Sequence, residues 1–122
     1  PQLPEEKPNH LLGIGDLESL GVCVPLGIDT FDSSYPTRAA RHGYLLSAEG
    51  GIKIEKGGNA NHFAPVEHGC SCWTCQNFSL AYMHHLFKAK ELTAYTLATV
   101  HNLHFMVELM RKYRAAILED LV

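Results

Sequence analysis

A chain of 122 residues, 46% of them hydrophobic, has the material for one modest core and lies outside the composition of disordered chains. Its formal net charge of −3 excludes binding to polyanions through overall charge alone, and leaves room for a local basic patch. The apolar runs fall far short of a membrane span and the first residues do not read as an export signal, so no membrane partner is expected, and the expected compartment is the reducing cytoplasm.

In chain order, "PQLPEEKPNH" is proline-rich and polar and predicts a loop. "LLGIG" follows, a short apolar run closed by glycine, as at the end of a buried strand. Asp16 is a good N-cap with Glu18 in the first turn, and Leu17, Leu20 and Val24 share one helical face. Gly21 and Pro25 keep that helix short. "GIDTFD" predicts a second strand, Ile28 to Phe31, closed by Asp32. Strand, helix and strand make a parallel crossover unit. "SSYPTRAARHG" predicts an irregular segment broken at Pro36. A hairpin is expected next: Tyr44 to Ser47, a turn at Glu49-Gly50-Gly51, then Ile52 to Glu55 with Ile52 and Ile54 alternating with charged residues. "KGGNANHFAPVEHG" predicts a loop.

"CQNFSLAYMHHLFKAKEL" holds no proline or glycine and predicts one helix, Gln76 to Lys90. Its apolar residues fall on two sides, Phe78, Ala81 and Tyr82 against Leu80, Met83 and Phe87, so both sides should be covered. A last helix is expected from about Val100 to Leu118, on the spacing of Leu103, Met110 and their neighbours.

Three of the chain's 4 cysteines, Cys70, Cys72 and Cys75, crowd into "CSCWTC". A Cys-x-Cys pair bridges poorly to itself, and Cys23 is distant in sequence. Reduced thiols at this spacing converge instead on one metal ion, and zinc wants four such ligands in a tetrahedron. The fourth ligand is open among His62, His68, His84, His85, His101 and His104. His68 is too near the turn, and His84-His85 reads as a packed or surface pair. A histidine from another helix would tie two elements together, which favours His101. Three thiolates and one imidazole leave no open position, so such a site is structural.

Together, "LLGIG", "GIDTFDSSYPTRAARHG", "CSCWTCQNFSLAYMHHL" and "TVHNL" resemble the tRNA-guanine transglycosylases, also called queuine tRNA-ribosyltransferases, in order and spacing over nearly the whole chain. The resemblance implies an α/β fold, a (β/α)8 barrel with an inserted zinc-binding α+β subdomain. Such a barrel takes about 250 residues, so this chain would be a C-terminal fragment. Residues 1–42 would be the end of the barrel, 43–100 the hairpin and zinc subdomain, and 101–122 the C-terminal barrel helix. By motif, the zinc ligands are Cys70, Cys72, Cys75 and His101, one ion per chain. Asp32 matches the catalytic nucleophile, Thr37, Arg38 and Arg41 the reading of the tRNA anticodon loop, and Leu12 and Gly13 the base pocket. His10 and Leu12 stand where the family usually has tyrosine and methionine, and Ser33 where it usually has cysteine.

The implied activity is that of a pentosyltransferase in queuosine biosynthesis, exchanging guanine at the wobble position for a 7-deazaguanine base through a covalent aspartyl-RNA intermediate. The general acid/base and purine-recognition residues would lie N-terminal to this segment, and the fragment alone would be inactive. A homodimer through Phe78, Tyr82, His85 and Leu97 is also implied. The other reading is a stand-alone zinc-stapled RNA-binding module or non-catalytic partner subunit. On that reading Asp32 is a turn residue, and Arg38 and Arg41 belong to a solvated loop.

Overall fold

A computed structural model describes residues 3–122, so Pro1 and Gln2 of the expected N-terminal loop lie outside the described residues. The chain divides into two compact units, Pro1–Tyr35 with Met110–Val122, and Pro36–Leu109. It is a mixed α/β structure, and among the described residues no helix is long and apolar enough to cross a membrane.

The first unit is built on a parallel pair. Strand β1 (His10–Leu11) lies beside β2 (Thr30–Phe31) in the register His10↔Thr30 and Leu11↔Phe31. Helix α1 (Leu17–Cys23) is the crossover between them. Asp16 caps α1 as its residue type predicts, accepting from the Ser19 amide at 2.9 Å and the Ser19 hydroxyl at 2.7 Å. Leu20 and Val24 are buried, and the helix stops before Pro25. Both strands are shorter than expected, and Leu11 is only half-buried. Ile28 and Asp29 are not in β2. Asp29 serves the turn instead, its carboxylate accepting from the Asn9 amide at 2.7 Å while its own amide donates to the Asn9 carbonyl at 2.9 Å.

The segment expected to be irregular is helix α2 (Tyr35–Arg41). Pro36 does not break it, because it stands in the first turn, where its missing N–H has no intrahelical partner to lose. Ser33 sets the entry, its hydroxyl accepting from the Tyr35 amide at 3.1 Å.

The second unit holds the larger core. Strands β3 (Tyr44–Ser47) and β4 (Gly50–Lys53) pair antiparallel. Ser47 pairs with Gly50, so the turn is Ala48-Glu49 and both glycines lie in the strand rather than in the loop. Gly51 is needed there because the Tyr44 ring occupies the space a side chain would fill. A 3-10 turn (Gly57–Asn61) interrupts the expected loop.

The single helix expected after the cysteines is two helices, α3 (Trp73–Asn77) and α4 (Leu80–Lys88). Phe78 is extended between them, and the Ser79 hydroxyl caps α4 by accepting from the Tyr82 amide at 3.1 Å. Two amides of the first turn of α4 donate outside the helix, Leu80 to the Ala64 carbonyl and Ala81 to the His62 carbonyl, both at 2.8 Å.

Helix α5 (Thr93–Leu118) begins well before Val100. Its buried face runs Ala94, Leu97, Ala98, His101 and Asn102, a helical stripe in which all but Leu97 are small or polar. Ala40, Leu45, Ile54, Leu80, Met83, Leu86 and Phe87 pack with Ala94, Leu97 and Ala98 of that stripe into one core. Leu97, expected in a homodimer contact, is only 2% exposed and belongs to this core.

Candidate metal centre and candidate catalytic carboxylate

Four donors converge in the second unit. The Sγ atoms of Cys70, Cys72 and Cys75 and one ring nitrogen of His101 all lie within 4.8 Å of one another. His101 Nδ1 stands 3.8 Å from Cys70 Sγ, 3.6 Å from Cys72 Sγ and 3.4 Å from Cys75 Sγ. Zinc bonds of about 2.3 Å to sulfur and about 2.0 Å to nitrogen give a tetrahedral N···S edge of about 3.5 Å. The donor set therefore fits one tetrahedral ion, and the group can hold a single zinc.

The surrounding bonds prepare that set. His101 Nε2–H donates to the Leu46 carbonyl at 2.7 Å, which leaves Nδ1 bare toward the thiols. Burial lowers the His101 pKa, so the ring is held in its neutral, ligating form. Burial also pushes the Cys70 and Cys75 thiols up, above the ordinary thiol value. Thiolates at this spot need a cation to offset their desolvation. Cys72 is the N-cap of α3, its sulfur accepting from the Cys75 amide at 3.3 Å.

The clasp is anchored from both sides. Thr74, between two ligands in sequence, donates its buried hydroxyl to the Leu97 carbonyl at 2.7 Å and so ties α3 to α5. Asn102, beside His101, accepts from the Leu46 amide at 2.9 Å and donates to the Tyr44 and Pro36 carbonyls at 2.9 and 3.1 Å. Adjacent residues of α5 thus take both backbone groups of Leu46. The other histidine candidates are elsewhere. His84 is buried and donates to the Ile54 carbonyl at 2.7 Å, His104 bonds Ser71 at 3.3 Å, and His62, His68 and His85 are exposed.

Asp32 follows β2 in the first unit. Its Oδ1 accepts from the Gly13 amide at 3.0 Å and lies 3.0 Å from His10 Nε2. The Gly13 amide first, and then the His10 ring, hold the carboxyl below its usual range. Gly13 has φ of +73°, a conformation that suits glycine and turns its N–H onto the carboxylate. The His10 side chain is 46% exposed and that of Asp32 is 58% exposed, so the carboxylate is ionised and open to a ligand. Leu12 beside it is 78% exposed. A concavity of about 950 Å³ in the same unit, lined by Leu3, Pro8, Leu26, Ile28 and their neighbours, does not include Asp32, Leu12 or Gly13.

Thr37, Arg38 and Arg41 lie on α2, not on a loop. The two arginines are exposed, three residues apart, and share a helical face, while Thr37 is half-buried. In the second unit, Trp73, Phe78 and Tyr82 form a continuous aromatic strip, with ring centroids 5.3 Å apart at both contacts. Sequence reasoning missed Thr30, Thr74, Asn102 and Trp73 as site or surface residues. His10 was noticed only as a departure from a pattern. The signal for it was its place on β1 opposite Thr30, and it becomes visible only once the parallel register is known.

The family described as Queuine tRNA-ribosyltransferase matches residues 1–122. A queuine tRNA-ribosyltransferase of Protochlamydia amoebophila is 66% identical over 122 residues, covering 100% of this chain and 32% of the relative. Those of Chlamydia felis and Chlamydia trachomatis are 52% and 50% identical over 119 residues, covering 97% of this chain and 32% of each relative. The chain thus spans about a third of the length of these curated relatives, and by the match along its whole sequence it belongs to the queuine tRNA-ribosyltransferase family.

Proposed function

We propose that this chain is the C-terminal part of a tRNA-guanine transglycosylase, a pentosyltransferase that exchanges the wobble guanine of tRNA for a 7-deazaguanine base. The reading rests most on one observation: an ionised, open carboxylate, Asp32, cradled by Gly13 and His10 at the C-terminal end of a parallel strand. In (β/α)8 barrels that end of the strands carries the active site. We assign residues 1–42 to the end of such a barrel, 43–100 to the hairpin and zinc subdomain, and 101–122 to the closing helix. The zinc holds structure and takes no part in the chemistry.

In the first step a carboxylate oxygen of Asp32 attacks the ribose C1′. The new C1′–O bond forms as the C1′–N9 bond breaks, and guanine leaves with the bonding pair and takes up a proton from a general acid outside this segment. In the second step the 7-deazaguanine base gives its N9 proton to that same group, now a base, and attacks C1′, so that the new C1′–N9 bond forms as the C1′–O bond breaks and the Asp32 carboxylate is released. Two displacements restore the original anomer, as in retaining glycosidases. Leu12 and Gly13 line the base pocket. Thr37, Arg38 and Arg41 meet the anticodon loop, where arginine forks stack on and bond splayed bases. The protein acts in the cytoplasm as a homodimer. Phe78, Tyr82 and His85 form the contact, with Leu97 backing it from the core.

On the reading as a zinc-stapled binding module, Asp32 would serve only as a turn residue bonded to Gly13 and His10. The test is exchange of labelled guanine into tRNA by the full-length protein. Asp32→Asn abolishes exchange while RNA binding and zinc content persist. Undiminished exchange in that variant would refute the reading.

A further inference from the structure

We propose that His10 is a positioning residue for Asp32, and that Thr30 sets the ring state in which it acts. The proposal rests on the assignment of Asp32 as the nucleophile. Three side chains line up across the parallel pair. Thr30 Oγ1 is 2.8 Å from His10 Nδ1, and His10 Nε2 is 3.0 Å from Asp32 Oδ1. One arrangement of protons satisfies both contacts in a neutral ring. The Thr30 hydroxyl donates to Nδ1, which fixes the proton on Nε2, and Nε2–H donates to the carboxylate.

The register makes this possible. His10 and Thr30 are paired residues on adjacent strands, and Asp32 stands just past the end of β2, two residues on from Thr30. The ring therefore bridges a hydroxyl on β2 and the carboxylate that follows that strand. The Gly13 amide ends on the same oxygen, Oδ1, as His10 does. Two donors on Oδ1 fix the rotation of the carboxylate and leave Oδ2 as the atom for attack. A nucleophile gains rate when its attacking atom is held in line before the reaction begins. The role of His10 is thus orientation. It donates to Asp32 and takes no proton from the substrate.

The experiment uses the full-length enzyme and compares His10→Phe, His10→Gln and Thr30→Val with the wild type. It measures the rate of the denaturant-resistant RNA complex at saturating tRNA and, separately, the affinity for tRNA. His10→Phe removes the donor, and the covalent step slows by about 10²-fold with tRNA affinity unchanged. His10→Gln offers an amide N–H near the position of Nε2 and restores most of the rate. Thr30→Val, which keeps the shape and loses the hydroxyl, falls between the two. Zinc content and tRNA affinity equal to the wild type show that the variants are folded. A full rate in His10→Phe, or a His10→Gln variant as slow as His10→Phe, overturns the proposal. If Asp32→Asn still traps RNA, the assignment of the nucleophile fails and this proposal fails with it.

Discussion

The two units of this chain treat polar groups in opposite ways. In the second unit, Thr74, His101 and Asn102 are 0% exposed, and each is bonded. In the first, His10 and Asp32 are about half exposed and bond to their own strand pair and its turn. Buried polar groups that are fully paired fix a unique geometry, and a metal closed on all four sides adds no reactivity. An exposed carboxylate with one oxygen engaged fixes little and can react. On the function proposed above, the chain separates holding from chemistry, with a self-contained clasp in one unit and an open carboxylate in the other.

The largest effect that sharpens this contrast is removal of zinc. Structural zinc sites contribute on the order of 10 kcal/mol, more than the whole stability of many domains. Chelation should expose the amides of residues 70–101 and of Leu46 to hydrogen exchange. The amides of α1 should keep most of their protection. Cys72→Ser should lose the ion, as read by metal analysis. Equal loss of protection in both units would break the comparison.

Next in size is Asn102→Leu at saturating zinc. The substitution strands the Leu46 amide and the Pro36 and Tyr44 carbonyls, and should cost about 3 kcal/mol, measured by denaturant unfolding. The ion should still bind, since Asn102 is not a ligand.

The smallest concerns the cap of α1. Asp16→Ala should cost ~1 kcal/mol, seen as about fivefold faster exchange in α1 and no change at the zinc clasp. The bonds from Ser19 hold the Asp16 carboxyl below its unfolded value. The contribution of the cap is therefore complete above that unfolded value and is lost as pH falls through the folded one.

The cysteine clasp was legible because its chemistry is local. Three ligands fall within six residues, and the fourth was favoured on the argument that a second helix would close the site. Asp16 was legible for the same reason, since a cap acts three residues away. Other features had no local signature. The start of α5 was missed because its first buried turns carry Ala94, Ala98 and Asn102 beside one leucine, which hydrophobic periodicity barely registers. The break between α3 and α4 was missed because Ser79 marks it with no proline or glycine. Pro36 was taken for a breaker when it opens a helix, an ambiguity that proline carries at every helix N-terminus. The Thr30–His10–Asp32 line depends on strand register, which no spacing along one strand reveals.

The most direct test of the separation of holding from chemistry is to map the covalent complex. The full-length protein is incubated with tRNA without added base, denatured, digested, and its RNA-linked peptide identified by mass spectrometry. The account predicts a single adduct, on the peptide that contains Asp32, absent in Asp32→Asn, with the Cys70–Cys75 peptide unmodified. An adduct on any other residue, or one that survives in Asp32→Asn, would contradict it.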